Sequence, residues 1–304
     1  MPDADSRRTG PLAGRVVVVT GASRGLGAAM ARVLSERGAV VALLGRQPET
    51  ISAVADTLPC RAGWWEADVT DDAAMEHAAA RIRVRLGTPS AVIANAGVAE
   101  GGPFAESDPA TWRRVIDVNL TGSAITARAF LPDLVATRGH YLQIASLASI
   151  GASPMMSAYC ASKAGVESFA HALQAEVAHQ RVAVGIAYLN WTDTDMIRDA
   201  DRHAVLRELR AHMPAPARKV YPVEQVAERM VRAVERRSRA VYVPGWLRFA
   251  QITRAVLPPL VTRISRTELP RLAAAAEFEA TGLLGAGARD DPAARRGGSA
   301  QRPG

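Results

Sequence analysis

Cysteine and lysine are both scarce in this chain of 304 residues: Cys60 and Cys160 are the only thiols, and Lys163 and Lys219 the only lysines. Two thiols so far apart form neither a metal-binding spacing nor a disulfide framework, which points to a reducing, cytoplasmic setting. None of the six histidines stands in a spacing such as H-E-x-x-H. Asp193 with Asp195 reads as loop chemistry rather than a metal pair, so no metal site is expected. Aromatic residues make up only 5% of the chain and the cations are scattered, which argues against a nucleic-acid partner. The polar N-terminus and the lack of about 20 uninterrupted apolar residues speak against a signal peptide and a membrane span. What is plentiful is apolar content, at 48%, ample for a substantial core and incompatible with disorder throughout. A net charge of +7, carried almost wholly by arginine, reads as a basic enzyme surface.

The organising stretch is Thr20 to Gly27, T-G-A-S-R-G-L-G, between the apolar run ending at Val19 and the helix-like Ala28 to Leu34. Strand, glycine turn and helix together suit a dinucleotide pyrophosphate, because Gly21, Gly25 and Gly27 let the backbone turn and approach a ligand. The helix N-terminus then favours an anion. The same residues satisfy G-x-S-x-G, the elbow of an α/β-hydrolase with Ser23 as nucleophile. That alternative needs earlier strands and an oxyanion-hole loop, and only a short polar segment precedes this strand.

Downstream, strand-like runs at 39–44, 62–67, 90–94, 140–145, 182–189 and 240–243 alternate with helix-like stretches at 49–58, 71–86, 109–135, 158–179 and 222–236. With the first strand this makes seven. The pattern predicts an α/β, doubly wound Rossmann fold with a seven-stranded parallel sheet. The domain is expected over 13–244, including a substrate loop at 190–217, after a disordered leader at 1–12. A helical extension over 245–285 and a disordered tail over 286–304 follow. In the extension, Trp246, Phe249, Ala250, Ile252, Val256 and Leu257 fall on one helical arc that Pro258-Pro259 should end. Packing on the domain or on a sister subunit is the expectation for that arc, with peripheral contact to a membrane through 246–257 as the alternative.

Tyr159 and Lys163 form Y-x-x-x-K, which places both on one face of a helix. A phenol titrates near 10, and a neighbouring ammonium is expected to lower that value by about 2, making the tyrosine a usable proton donor and acceptor.

These motifs together resemble the classical short-chain dehydrogenase/reductase family over roughly residues 13–244. The T-G-x-x-x-G-x-G turn is joined by Asn95-Ala96-Gly97 after the fourth strand, by Asn119, by Ser146 at a strand end and by Tyr159 with Lys163. The resemblance implies that Tyr159 exchanges the proton at the substrate oxygen and that Ser146 orients that oxygen. Lys163 would bind the nicotinamide ribose and tune Tyr159, and Asn119 would hold a water in a relay to Lys163. Taken separately, Asn119 reads as a helix-kink residue and Ser146 as a strand-end cap. Cofactor contacts are implied for Gly21, Ser23, Arg24, Gly25, Leu26 and Gly27, for Asp68 and Val69, for Asn95, Ala96 and Gly97, and for Thr192 and Thr194. A homodimer or homotetramer is implied as well.

Gly45 stands where an NAD enzyme offers a carboxylate to the ribose, and Arg46 follows it, with Arg24 in the turn. This favours NADP(H), with NAD(H) as the alternative. Where the family has Pro-Gly after the sixth strand, this chain has Leu189-Asn190, and asparagine tolerates the left-handed bend. Ile150, Pro154, Met155, Met156, Trp191, Met196 and Ile197 hint at a lipophilic alcohol or carbonyl substrate. A binding or regulatory protein that keeps the nucleotide fold without turnover is the second functional class.

Overall fold

Alternation along the first strand, β1 (Val16–Thr20), sorts the core into two halves: Val16 and Val18 belong to one buried cluster, Val17 and Val19 to another. A strand buried on both faces must have helices above and below it. The computed structural model, which describes residues 9–275 and 278–285, shows this arrangement. After β1 come α1 (Gly25–Glu36), β2 (Val40–Gly45), α2 (Pro48–Asp56), β3 (Ala62–Glu66), α3 (Asp72–Arg85) and β4 (Pro89–Ala94). A two-residue strand, β5 (Ala99–Glu100), precedes α4 (Pro109–Ile116) and α5 (Gly122–Thr137). Then follow β6 (His140–Ile144), α6 (Ser157–Val177) and β7 (Ala183–Leu189). The region 190–217 holds three short helices, α7 (Asp195–Arg202), α8 (Ala204–Ala211) and α9 (Ala215–Arg218), before α10 (Val223–Glu235) and β8 (Ala240–Val243).

The seven long strands form one parallel sheet in the order β3-β2-β1-β4-β6-β7-β8. The order reverses between β1 and β4, which opens a crevice at their C-terminal ends. The doubly wound fold and all seven strands expected from the sequence are therefore present. On one face α1 packs against α10, and Arg37 ties them by bonding Glu228 at 2.6 Å and Glu235 at 2.8 Å.

Four local expectations need correction. The leader was expected to run to Leu12, yet Leu12 is buried beneath α1 in the second core cluster; residues 1–8 and 286–304 lie outside the described residues. The single helix expected over 109–135 is interrupted by a π-helical turn at Asp117–Thr121, which carries Asn119. Such turns recur at functional sites because they displace one residue from the regular ladder. In the extension, α11 (Leu247–Ile252) is followed by α12 (Leu257–Ala275), so Pro258-Pro259 opens a helix instead of ending one. A missing N–H costs nothing in a first helical turn. The expected apolar arc also divides: Ala250 is buried and Trp246 partly so, whereas Phe249, Ile252 and Val256 face outward. Beyond α12 the chain returns over the domain, and β9 (Leu283–Leu284) pairs antiparallel with β5, a small sheet with no signal in the sequence.

Candidate active site

Gly21 and Gly27 show why the turn after β1 must be glycine-rich. A Cβ on Gly27 would lie 2.1 Å from the Gly21 carbonyl oxygen, and one on Gly21, at φ +62°, would lie 2.8 Å from the Ala96 Cα. Close approach of three backbone segments leaves no volume for side chains. The N-terminus of α1 has no side-chain cap and no acid in its first turn, so its N–H groups and dipole face the cleft as an anion cradle. The residues present thus fit a dinucleotide pyrophosphate.

Asn95 and Thr20 stitch the turn to the end of β4. The Thr20 hydroxyl oxygen accepts from the N–H groups of Asn95 at 3.0 Å and Ala96 at 3.1 Å, and the Asn95 amide donates to the carbonyls of Thr20 and Gly21. Asn95 lines the cleft, but its amide serves this stitch.

The π-turn aims Asn119 inward, where it is 1% exposed. Its oxygen accepts from Val98 N–H at 2.8 Å, and its amide donates to the Val98 carbonyl and the Ser162 hydroxyl, both at 2.9 Å. Ser162 in turn donates to the Tyr159 carbonyl at 2.8 Å. The side chain thus clamps the loop after β4 onto the turn of α6 that carries the tyrosine. Both amide donors are spent, and the Asn119 backbone carbonyl accepts from the Ser123 hydroxyl at 2.6 Å.

Ser146, just past β6, caps a short turn by accepting from Ala148 N–H at 3.2 Å, and its hydroxyl lies beside that of Tyr159, where it favours the phenolate. One turn along α6, Lys163 is 5% exposed and donates to the Ile144 carbonyl at 3.0 Å, with its ammonium 5.7 Å from the centre of the Tyr159 ring. The electrostatics differ from the expectation of an acidified phenol. Burial pushes the Tyr159 hydroxyl above its ordinary value, against the smaller opposing effect of the neighbouring Ser146 hydroxyl. Burial likewise lowers Lys163, to about 8. Desolvation disfavours both charged forms at once.

The expected residues Gly21, Ser23, Arg24, Gly25, Leu26, Gly27, Arg46, Asp68, Val69, Asn95, Ala96, Gly97, Ser146, Tyr159, Lys163, Thr192 and Thr194 all line one cavity of about 270 Å³ at the C-terminal ends of the central strands. No histidine is among the lining residues described, so Ser23 has no imidazole base there and the hydrolase reading fails. Arg114 lines the same cavity and escaped the sequence reading. It bonds Asp68 at 2.6 Å and the Thr70 hydroxyl at 2.9 Å, while Arg46 approaches Asp68 at 3.9 Å. Burial alone would raise the Asp68 carboxyl; the bonds from Thr70 and Arg114 outweigh it and hold the group below the usual range. The Arg24 guanidinium donates to the Gln47 side-chain oxygen.

Leu284 and Gly285 of the C-terminal segment also line the cavity. Leu284 is buried with Ala99, Met156, Ala200 and Leu206, and Met155, Cys160, Met196 and Tyr159 pack on the group. Of the residues taken to hint at a lipophilic substrate, Met155, Met156 and Met196 gather here. Ile150 belongs instead to the main core, and the Trp191 ring lies under the Arg210 guanidinium at 5.6 Å. Met155 holds φ +64°, a conformation rarely tolerated outside glycine and concentrated at functional loops. Asn190, by contrast, is not in the left-handed region. Its N–H continues the pairing to the Val243 carbonyl at 3.0 Å and its amide reaches the Ala217 carbonyl at 3.0 Å, so the left-handed conformation expected there is not adopted.

Comparison with known proteins agrees with this geometry. Residues 15–204 match the short chain dehydrogenase family. A cis-4-hydroxycyclohexanecarboxylate dehydrogenase from Sinomonas cyclohexanicum is 34% identical over 221 residues, covering 70% of this chain and 86% of its own. An acetoacetyl-CoA reductase from a Synechocystis strain is 32% identical over 204 residues, 64% of this chain and 80% of its own. Among solved structures, a metagenomic short-chain oxidoreductase in complex with NADP superposes with a TM-score of 0.56 at 35% identity, covering 59% of this chain and 82% of that one. With its glycine turn, its seven-stranded sheet and its Ser146, Tyr159 and Lys163 in one cleft, the chain belongs to the short-chain dehydrogenase/reductase family of oxidoreductases.

Proposed function

We propose that this protein is an NADP(H)-dependent oxidoreductase that interconverts a carbonyl and an alcohol on an apolar substrate, with Tyr159 as general acid and base. The observation that carries the proposal is that Ser146, Tyr159 and Lys163 line the same cavity as the glycine turn, with the Ser146 hydroxyl beside that of Tyr159. A dinucleotide bound along the turn supplies the hydride. Ser146 and Tyr159 then present two hydroxyls to one substrate oxygen, which positions it and shares its developing charge. Because burial keeps the phenol protonated at neutral pH, Tyr159 is set to donate its proton, and reduction of a carbonyl is the direction this charge state serves. Lys163, at about 8, holds a positive charge beside the phenol as the proton leaves.

Selection for the 2′-phosphate rests on the end of β2. Gly45 offers no carboxylate there, and Arg24 and Arg46 line the same stretch of the cavity. The structural relative in complex with NADP supports this choice. For the substrate, the methionines and Leu284 around Tyr159 supply an apolar wall. The names of the two sequence relatives, one a dehydrogenase of a hydroxy acid and one a reductase, support alcohol and carbonyl chemistry.

The test is a panel of apolar ketones and secondary alcohols followed at the reduced-nicotinamide absorbance, with wild type and Tyr159→Phe. The variant should lose about 100-fold or more of kcat while its dissociation constant for NADPH stays within about twofold, since a phenylalanine keeps the ring and removes only the proton donor. An unchanged kcat would remove Tyr159 from the chemistry.

A further inference from the structure

The C-terminal extension turns large apolar side chains toward solvent instead of burying them. Phe249, Ile252, Val256, Leu260 and Ile264 are 70, 76, 62, 48 and 46% exposed. Their spacing of three and four residues follows α11, the turn at Arg254–Val256 and the first half of α12, so within each helix they share a side. Scattered single exposures are ordinary, but a run at helical spacing marks a contact surface.

The charges along this segment are of one sign. From Pro244 to Thr267 the sequence has no aspartate or glutamate, and its ionisable side chains are Arg248, Arg254, Arg263 and Arg266. Arg254 turns toward the domain, bonding Glu167 at 2.8 Å and the Ser149 carbonyl at 2.9 Å. Arg248, Arg263 and Arg266 are exposed. Glu268, the first acid beyond the segment, is bonded to Arg271 at 3.1 Å and faces His212 at 3.7 Å.

We propose that this face docks on a membrane surface containing anionic lipid, with the apolar side chains entering the acyl boundary and the arginines meeting headgroup phosphates. A second copy of the chain fits less well. An isologous contact would press an acid-free, arginine-bearing surface against itself, and like charges with no answering carboxylate oppose it. The contact is peripheral, because no described helix is long and apolar enough to cross a membrane. The inward side of the extension is fixed: Gln251 donates to Glu167 at 2.7 Å, and Glu167 lies on α6, one turn beyond Lys163. Docking would therefore set the loop after Ser146 close to the lipid.

The experiment is flotation of the full-length protein with phosphatidylcholine vesicles and with vesicles that also contain phosphatidylglycerol. Wild type should float with the anionic vesicles about tenfold more than with the neutral ones, and added salt should release it. The double variant Ile252→Glu/Leu260→Glu changes only exposed positions and should stop floating while keeping the wild-type melting temperature and NADPH affinity. Arg263→Gln/Arg266→Gln should weaken anionic binding about tenfold or more. Absence of flotation, equal flotation with both vesicle types, or flotation that survives the glutamate pair would each overturn the proposal. If light scattering then showed a wild-type dimer that the glutamate pair dissociates, the face would be an interface between copies, which also overturns it.

Discussion

At the residue scale, burial raises the Tyr159 hydroxyl and lowers the Lys163 ammonium, and the proposed reduction draws its proton from that arrangement. Lys163, lowered to about 8, loses its charge as pH rises through that value and with it the support for a departing phenolic proton. kcat/KM for carbonyl reduction should be level below about pH 8 and fall above it, and a profile level to pH 10 would contradict the coupling. A second expectation concerns Arg24 and Arg46. Replacing both by alanine should cost NADPH about 10- to 100-fold in kcat/KM, the worth of one or two charge-assisted contacts, and leave NADH within about threefold. Equal losses for both cofactors would mean that the arginines only shape the loop. These residues were readable from sequence because each sits in a local motif or at a strand end. Arg114 was not, since its bond to Asp68 joins positions 46 residues apart and no local pattern encodes it.

At the scale of elements, periodicity located the strands and main helices within a few residues, because burial on both sheet faces imposes continuous apolar runs on the strands and amphipathic ones on the helices. It passed over the π-turn around Asn119, which keeps an apolar pattern while shifting one residue inward. It also misjudged Pro258-Pro259, because proline stops a helix from within but is accommodated at its start. What anchors the extension is a cluster around Glu167, 3% exposed, which receives bonds from Tyr188, Gln251 and Arg254. Arg254→Ala removes the guanidinium bonded at 2.8 Å to this buried carboxylate, which the His171 ring also approaches at 3.9 Å. It should lower stability by about 2 kcal/mol, moderated by the two neutral donors that remain. Urea denaturation reads this directly, and a loss under about 0.5 kcal/mol would show that the pair is screened by solvent.

For the whole molecule, the far end of the sheet carries an acid-sensitive point. His140, at the start of β6, has both ring nitrogens buried with no well-formed hydrogen bond, and burial, helped by the Arg237 charge and only partly offset by the Ser238 backbone, lowers it from 6.5 to about 4. The unfolded chain binds this proton more readily than the folded one. The stabilisation is therefore complete above about pH 6.5 and is lost as pH falls toward 4, by up to about 1.4 kcal/mol per pH unit. Between pH 7 and pH 5, this residue should account for about 2 kcal/mol of lost stability. Chemical denaturation at both values checks it: the loss should shrink by that amount in His140→Gln, and an unchanged pH dependence would shift the sensitivity to other groups. The sequence by itself determined the doubly wound sheet, the glycine turn and the pairing of Tyr159 with Lys163, since these follow from short-range geometry: period two, a turn without side-chain volume, and one helical turn. Only the tertiary structure decided that β9 returns to β5 and brings Leu284 to the cavity wall, that Arg114 joins the cavity, and that burial sets the phenol above its ordinary value. Those outcomes depend on which distant segments meet and on how much water they exclude, and neither quantity is written in any local stretch of chain.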